Sequence, residues 1–301
     1  MADGQQAAEF PPAAEESRPG TRSGADRRPP AKPGSPDTRA VDAHPVGVCA
    51  AARIHAEHNG RTTTLPLLRS DGPFHLRRLR SRNGRARVSV IGAMSAPLGG
   101  DRLQLNVEAR ARAELEVTTA AATLALRGAT PAPATYDVRL TVGAHASLNW
   151  LPQPLITTRG STLYQSHAVE LTSTSRLLLR EEQLLGRTAE PPGYLSARLT
   201  VQRDGRPLLD QHTLYGGAAT AWDGPAVLDK HRAAGQLLVV DPRLEATAQP
   251  FFLGDNPVEG CGVLAPLAGG QALLATAIAP TPARLRSLLD TALAHALGGQ
   301  A

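Results

Sequence analysis

The densest group of potential metal ligands lies near the start of the first apolar segment. His55, Glu57 and His58 fall close together, and Cys49 precedes them. Imidazole, carboxylate and thiolate groups are the common protein ligands of divalent transition metals. On a strand, however, positions three apart point to opposite faces, so His55 and His58 could share an ion only at a turn. We interpret these residues as ordinary strand residues and keep a metal site here as the alternative.

Three carboxylates occupy unusual positions. Asp101 follows a glycine pair, and Glu181 and Glu182 end an apolar run at 177–179. A glycine pair lets the backbone adopt conformations that are closed to other residues, so the acid behind it is held in a fixed direction. The residues alone leave two interpretations open: functional carboxylates, or a turn acid and a strand-end pair.

Signatures of catalysis are missing from the sequence. It has no phosphate-binding Gly-Lys-Ser/Thr loop, no Gly-x-Ser-x-Gly elbow, no His-Glu-x-x-His and no Cys-x-x-Cys. Only Lys32 and Lys230 are lysines, so chemistry that needs a reactive lysine has almost no candidates. His167 and His212 are isolated within strand-like segments, where a hydrogen-bonded, partly buried histidine is expected. A β-fold hydrolase built from scattered residues is kept as an alternative without a local motif.

A basic stretch raises the question of nucleic-acid binding. Between Arg69 and Arg112, ten arginines stand against three acids, a net charge of +7. A surface that binds single-stranded nucleic acid would have aromatic side chains between the basic ones. Phe74 is the only aromatic residue in this stretch. An acidic protein partner explains the charge better, and a nucleic-acid-binding module using residues 69–112 is the alternative.

The elements that must position these residues are mostly strands. Apolar and polar residues alternate at 103–107 and 137–142, which is typical of strands with one buried face. Dipeptides such as Asn59-Gly60 and Asp204-Gly205 favour tight hairpins. We therefore expect a mainly β protein with a large layered antiparallel β-sheet body, sandwich-like or β-helical-like. A C-terminal α-helix is predicted over 281–298, with Thr281 as its cap.

An internal sequence repeat supports the layered body. A strand, a small-residue turn and a second strand recur around 111–115, 144–148 and 173–177, at spacings of 33 and then 29 residues. Because the two spacings differ, stacked β layers of one domain fit the repeat better than a strict solenoid.

The two ends of the chain differ in composition. Residues 1–45 hold hardly an aliphatic side chain, so we predict a disordered tail before a single domain at 46–301. The start lacks the basic and apolar regions of a secretory signal, and Cys49 and Cys261 cannot build a disulfide framework. The uncharged run 261–283 is broken by prolines and a glycine pair, which argues against a membrane span. We expect a cytoplasmic protein.

Six segments, taken in chain order, carry a family pattern. They are residues 73–77, 98–103, 117–123, 148–154, 181–187 and 204–209. The set resembles the UreD family, also called UreH, of urease accessory proteins, and its most specific piece is the Trp-Leu-Pro-Gln-Pro of 150–154. The resemblance runs from about residue 46 to the terminal helix. Ala120 stands where the family usually has glutamine, and the strand ending at Thr276 lacks an expected arginine.

The resemblance implies a non-catalytic chaperone for urease maturation. In that family the protein is a scaffold that binds UreF, recruits the GTPase UreG through UreF, and assists nickel insertion into the urease apoprotein, with an internal passage for the ion. The motif match implies Asp101 and Glu181 as passage residues for transiently held Ni²⁺, with no tightly bound cofactor, no nucleic acid and no membrane partner. The implied partner-interface residues are Arg77, Arg78, Trp150, Gln153 and Arg187.

Deleting residues 1–45 should lower the free energy of unfolding by less than about 1 kcal/mol, because that composition offers no side chains to pack into a core. Chemical denaturation of the full chain and of the deletion variant would measure the difference. A loss of several kcal/mol would show that the segment packs on the body.

Overall fold

The computed structural model describes residues 47–217, 219–244 and 249–298. The predicted tail, residues 1–45, lies outside these ranges, and the domain boundary at 45/46 stays a prediction. The strands are β1 (Cys49–His58), β2 (Thr63–Arg69), β3 (Phe74–Arg82), β4 (Arg85–Gly92), β5 (Arg102–Ala109), β6 (Glu114–Thr119), β7 (Thr123–Ala125), β8 (Ala134–Val142), β9 (Ser147–Leu151), β10 (Leu155–Thr157), β11 (Thr162–Leu171), β12 (Arg176–Leu185), β13 (Tyr194–Arg203), β14 (Arg206–Tyr215), β15 (Ala233–Val240), β16 (Phe251–Leu253), β17 (Cys261–Pro266) and β18 (Ala272–Ala279). A 3₁₀ turn covers Pro257–Glu259, and helix α1 covers Pro282–Gly298.

The strands form two sheets, which confirms the predicted mainly β, layered body. Sheet 1 has the order β14-β13-β11-β8-β5-β1-β2, and sheet 2 has the order β16-β17-β18-β15-β12-β9-β6-β4-β3. Strand β10 pairs with β12 and with β7 beside this path. Among the described helices, none combines the length and hydropathy that a membrane crossing requires.

The centres of both sheets are parallel, which differs from the antiparallel arrangement that we predicted. Strands β1, β5, β8, β11 and β13 are parallel neighbours in sheet 1, as are β4, β6, β9 and β12 in sheet 2. Antiparallel pairs flank these parallel runs: β1–β2 and β13–β14 in sheet 1, and β3–β4 at one end of sheet 2. At the other end of sheet 2 the whole run β12-β15-β18-β17-β16 is antiparallel. The hairpin dipeptides mark these flanks, so they gave no information about the centre.

The internal sequence repeat corresponds to successive coils of a solenoid-like stack. Each coil places one strand in sheet 1 and, after a short corner, the next strand in sheet 2. Leu148 pairs with Leu115 on one side and with Leu177 on the other, so the three corners lie in register. The coils build the two sheets, so the predicted layers are present and their stacking is solenoid-like. Unequal spacing arises because the return segments differ in length, while the corners stay aligned.

The main core fills the space between the two sheets. Alternate residues of each strand point inward, as on β8, where Val138, Leu140 and Val142 are buried. Trp150 is among the largest fully enclosed side chains and is 2% exposed. With few aromatic residues, this core depends on leucine, valine and alanine.

Helix α1 forms a second core against sheet 2, as predicted. Its buried face comprises Leu285, Leu288, Leu289, Ala292 and Ala296. Thr281 Oγ1 accepts a hydrogen bond from Arg284 N at 3.3 Å and so satisfies one free donor of the first turn. The enclosed Glu182 carboxylate binds Arg180 at 2.8 Å and Arg286 of the helix at 3.0 Å. This ion-pair network fixes the helix to β12.

Asp101 holds the start of the first coil. Its Oδ1 accepts a hydrogen bond from Val48 N and its Oδ2 accepts one from Leu98 N, each at 2.8 Å, and the side chain is buried. Gly100 has φ +97°, a conformation that favours glycine, so the glycine pair fixes the direction of the acid as expected. The carboxylate joins the chain before β1 to the turn before β5.

Replacing Asp101 by Ala should destabilise the protein by about 2–4 kcal/mol, because two enclosed backbone N–H groups lose their acceptor. Asp204→Ala is a suitable control: Asp204 is exposed and accepts one bond, from Ser173 N, so a loss below about 1 kcal/mol is expected. Equal losses in chemical denaturation would contradict the structural role of Asp101.

Candidate functional site

Three cavities lie in a row inside the body. A large cavity of about 460 Å³ is bounded by β12, β15, β17 and β18 on one side and by β13 and β14 on the other. It shares Glu181 and Gln183 with a small cavity of about 30 Å³. The small cavity in turn shares Thr119, Thr123 and Tyr136 with a third cavity of about 280 Å³. The small cavity therefore adjoins both of the larger ones.

Both end cavities reach the molecular surface. Val227 and Phe252 line the large cavity and are 48% and 78% exposed. Met94 and Leu124 line the third cavity and are 52% and 38% exposed. Each opening thus has an apolar rim.

Glu181 stands where the large and small cavities meet. It is 7% exposed, and its Oε1 lies 2.7 Å from His167 Nδ1. Its Oε2 accepts a hydrogen bond from Gln236 Nε2, the residue directly opposite on β15. Burial alone would raise the pKa of the Glu181 carboxyl, but the charge of His167 and the bonds from His167 and Gln236 outweigh it and lower the pKa. The side chain is therefore held as a carboxylate.

His167 connects the two sheets at this point. It lies on β11 of sheet 1 and is 3% exposed, while its partner Glu181 lies on β12 of sheet 2. The ring of Trp150 meets the His167 ring edge-on, with centroids 5.9 Å apart. The expectation of a hydrogen-bonded, enclosed His167 is confirmed, although its pairing with Glu181 was not foreseen. His167 lies on the same face of β11 as Leu163 and Val169. This alternation along the sequence is the signal that would have placed His167 in the core.

Asp101 and Glu181 are not brought together. Asp101 lines none of the three cavities, and both of its carboxylate oxygens bind backbone N–H groups. Its predicted role on an ion passage stays a prediction, and its geometry is that of a turn residue. Glu181 does line the row of cavities, so it is the stronger of the two candidates.

The group around Cys49 is dispersed along β1. His55 lies 3.5 Å from Glu108, while His58 Nδ1 accepts a bond from Gly60 N. Within the described ranges, no three His, Cys, Asp or Glu side chains meet in a way that could hold a metal ion.

The predicted partner-interface residues occupy different environments. Arg77 and Arg78 are exposed on β3, and Arg187 is exposed and paired with Glu190. Gln153 lines the small cavity and accepts a bond from Arg286 at 3.4 Å. Trp150 is enclosed and its side chain packs in the core, and its place at a partner interface stays a prediction.

The departures from the family pattern lie on the cavity walls. Ala120 lines the third cavity and Thr276 lines the large one. Both are small and uncharged, so neither end cavity carries at these positions the larger polar group that the family pattern predicts.

A Ser–His pair occurs on the outer surface of sheet 1. Ser196 Oγ lies 2.8 Å from His212 Nε2. Within the described part of the chain, no carboxylate forms an ion pair with His212. A catalytic triad would need an acid bonded to the imidazole, so this pair gives the hydrolase alternative no support.

Comparisons with known proteins agree with the ordered segments. The family model described as UreD urease accessory protein matches residues 48–301. A protein named urease accessory protein UreD 2 from Saccharopolyspora erythraea is 62% identical over 261 residues, 86% of this chain and 92% of the relative. One named urease accessory protein UreD 3 from Streptomyces griseus is 51% identical over 258 residues, 84% of this chain and 98% of the relative.

The matched residues include all of the strands, the three cavities and helix α1. With most of both chains aligned at these identities, the chain belongs to the UreD family of urease accessory proteins.

Proposed function

We propose that this protein is a scaffold in urease maturation that passes nickel through its body to the urease apoprotein. In this proposal it binds UreF, and UreG through UreF, and it has no catalytic centre of its own, since GTP hydrolysis is supplied by UreG. Membership of an accessory-protein family supports the maturation role, and the row of cavities through the body supports the passage. The site at Glu181 is the observation on which the passage depends.

The groups at Glu181 suit an ion that must bind and leave. One carboxylate offers oxygen to a divalent cation, and Gln236 Oε1 beside it is buried without a hydrogen-bond partner. His167 holds the carboxylate in place and competes with the ion for it. A site with one charged ligand and a competing partner binds a cation weakly, which is what transient handling requires.

The electrostatics of the large cavity favour a cation at its inner end. Glu181 is negative, and its charge, together with burial, raises the pKa of Tyr215, which lines the same cavity. Tyr215 therefore stays neutral, and it does not add a second negative charge. His167 offsets part of the Glu181 charge, and in an enclosed space the remaining field acts over a longer distance than it would in water.

Cys49 and Cys261 are free thiols, which fits a reducing compartment, so the proposal places the protein in the cytoplasm. The proposal includes no tightly bound cofactor, and nickel is its cargo. Copurification with UreF and with urease subunits is the expected result of an affinity isolation, and deletion of the gene should leave urease without nickel. Normal urease loading in the deletion strain would contradict the proposal.

Glu181→Gln should lower the nickel content of urease by about tenfold, because the neutral amide keeps the shape of the side chain but loses the charge that attracts the ion. Nickel per urease, measured by elemental analysis after coexpression, gives the readout. The matched control is Glu170→Gln on β11, since Glu170 is exposed and faces away from the cavities.

The Glu170→Gln control and the wild-type protein should load urease with equal amounts of nickel. Thermal unfolding of both variants separates loss of transport from loss of fold. A folded Glu181→Gln variant that loads urease like the wild type would remove Glu181 from the passage.

A further inference from the structure

The outer strands of the two sheets are protected unequally. Sheet 1 ends in β2, which contains Pro66, and in β14, which contains Pro207. One end of sheet 2 is β16, which has only three residues and follows Pro250. Proline and short length are common devices that stop an edge strand from pairing with another chain. The fourth edge, β3, has nine residues and no proline, and its pairing with β4 is irregular only between Leu79 and Arg82.

The backbone of β3 presents its second side to solvent. Strand β3 pairs with β4 alone. The N–H of Leu76 donates to Ser70 Oγ at 2.9 Å, so it points away from β4. In an antiparallel pair the direction of the N–H groups alternates along the strand, so the N–H of Arg78 points the same way. The regular alternation extends to Leu79, and the pairing with β4 is irregular between Leu79 and Arg82. The N–H of Arg78 is therefore the outward donor that this register fixes for an added strand.

The side chains of the same segment carry an uncompensated positive charge. Arg77, Arg80 and Arg82 are exposed, and none forms an ion pair with a described residue. On the partner strand the situation differs, since Arg87 binds Glu116 at 2.7 Å and Arg85 lies 3.9 Å from Glu114. The excess charge is therefore concentrated on β3, at the edge.

We propose that the edge of β3 from Arg78 to Arg82 binds an extended acidic segment of a partner protein as an added antiparallel or parallel strand. Main-chain hydrogen bonds would give affinity, and the arginines would select carboxylates on alternate residues of the segment. Nucleic acid lacks a peptide ladder, and no aromatic side chain lies between 75 and 92 for a base to stack on. An acidic protein segment therefore satisfies both the backbone and the charge.

This surface is separate from the ion passage, since none of the residues 77–87 lines the three cavities. The proposal does not depend on nickel passing through the core. Failure of one proposal leaves the other standing.

Peptide binding to the full-length chain tests the proposal. The probes are fluorescent peptides as long as β3, one of alternating Glu and Val and one of alternating Lys and Val. We expect the acidic peptide alone to raise the fluorescence anisotropy, and its affinity should fall as NaCl is increased from about 50 to about 300 mM. No binding of the acidic peptide at low salt would overturn the proposal, as would tighter binding of a DNA duplex in the same buffer.

Methylated peptides distinguish strand addition from charge attraction. Two versions of the acidic peptide carry N-methyl groups on the odd or on the even amides. Only one edge of an added strand faces β3, so one version should lose binding and the other should keep it. Equal binding of the two versions would show that side-chain charge alone is responsible, and strand addition would be wrong.

Charge reversal locates the peptide. Arg80→Glu should weaken binding of the acidic peptide about tenfold. Arg206→Glu changes an exposed arginine on β14, an edge strand of sheet 1, and should leave the binding unchanged. Arg77→Ala gives a second, milder variant with a smaller expected loss. Equal effects of the two reversals would place the peptide elsewhere and refute the assignment to β3.

Discussion

The space between the two sheets is the constraint on which the site depends. Packed sheets lie about 10 Å apart, and inward side chains must fill that distance. Where leucine and tryptophan face each other, as around Trp150, the space is closed. Near the large cavity the inward residues include Ala197 and Ala234, which are too short to meet across the gap. The cavity is thus a direct result of small residues at facing positions.

A charged pair can exist in this interior because each partner satisfies the other. Glu181 and His167 come from different sheets, so their contact spans the core at the point where the cavities meet. A carboxylate enclosed without partners would be protonated or would destabilise the fold by several kcal/mol. Such a pair is weak evidence for stability, since aliphatic residues would pack at least as well. In the proposed passage, the carboxylate of this pair is the group that attracts the ion.

Sequence patterns identified the elements more completely than their arrangement. Alternation and helical spacing predicted the strands and α1, because both patterns are local. The direction of strand pairing depends on contacts between segments about 30 residues apart, and a corner such as 143–146 has the same small polar composition in either topology. Asp101 was singled out correctly as an acid of fixed direction, but only its hydrogen-bond partners show that the direction serves a turn. Gln236 carried no signal, because an amide within an apolar strand becomes meaningful only opposite Glu181.

The two departures from the family pattern bear on where ion selectivity would reside. In the proposed passage, Ala120 and Thr276 leave the end cavities with small, neutral walls at those positions. The third cavity has no charged lining residue, whereas the large cavity is lined by Arg198, which pairs with Asp210. The desolvation of a divalent ion is costly, so it would keep its hydration shell within the wide cavities and exchange ligands only at the narrow junction. In this proposal, discrimination among cations would rest on the carboxylate of Glu181 and the width of the gap beside it.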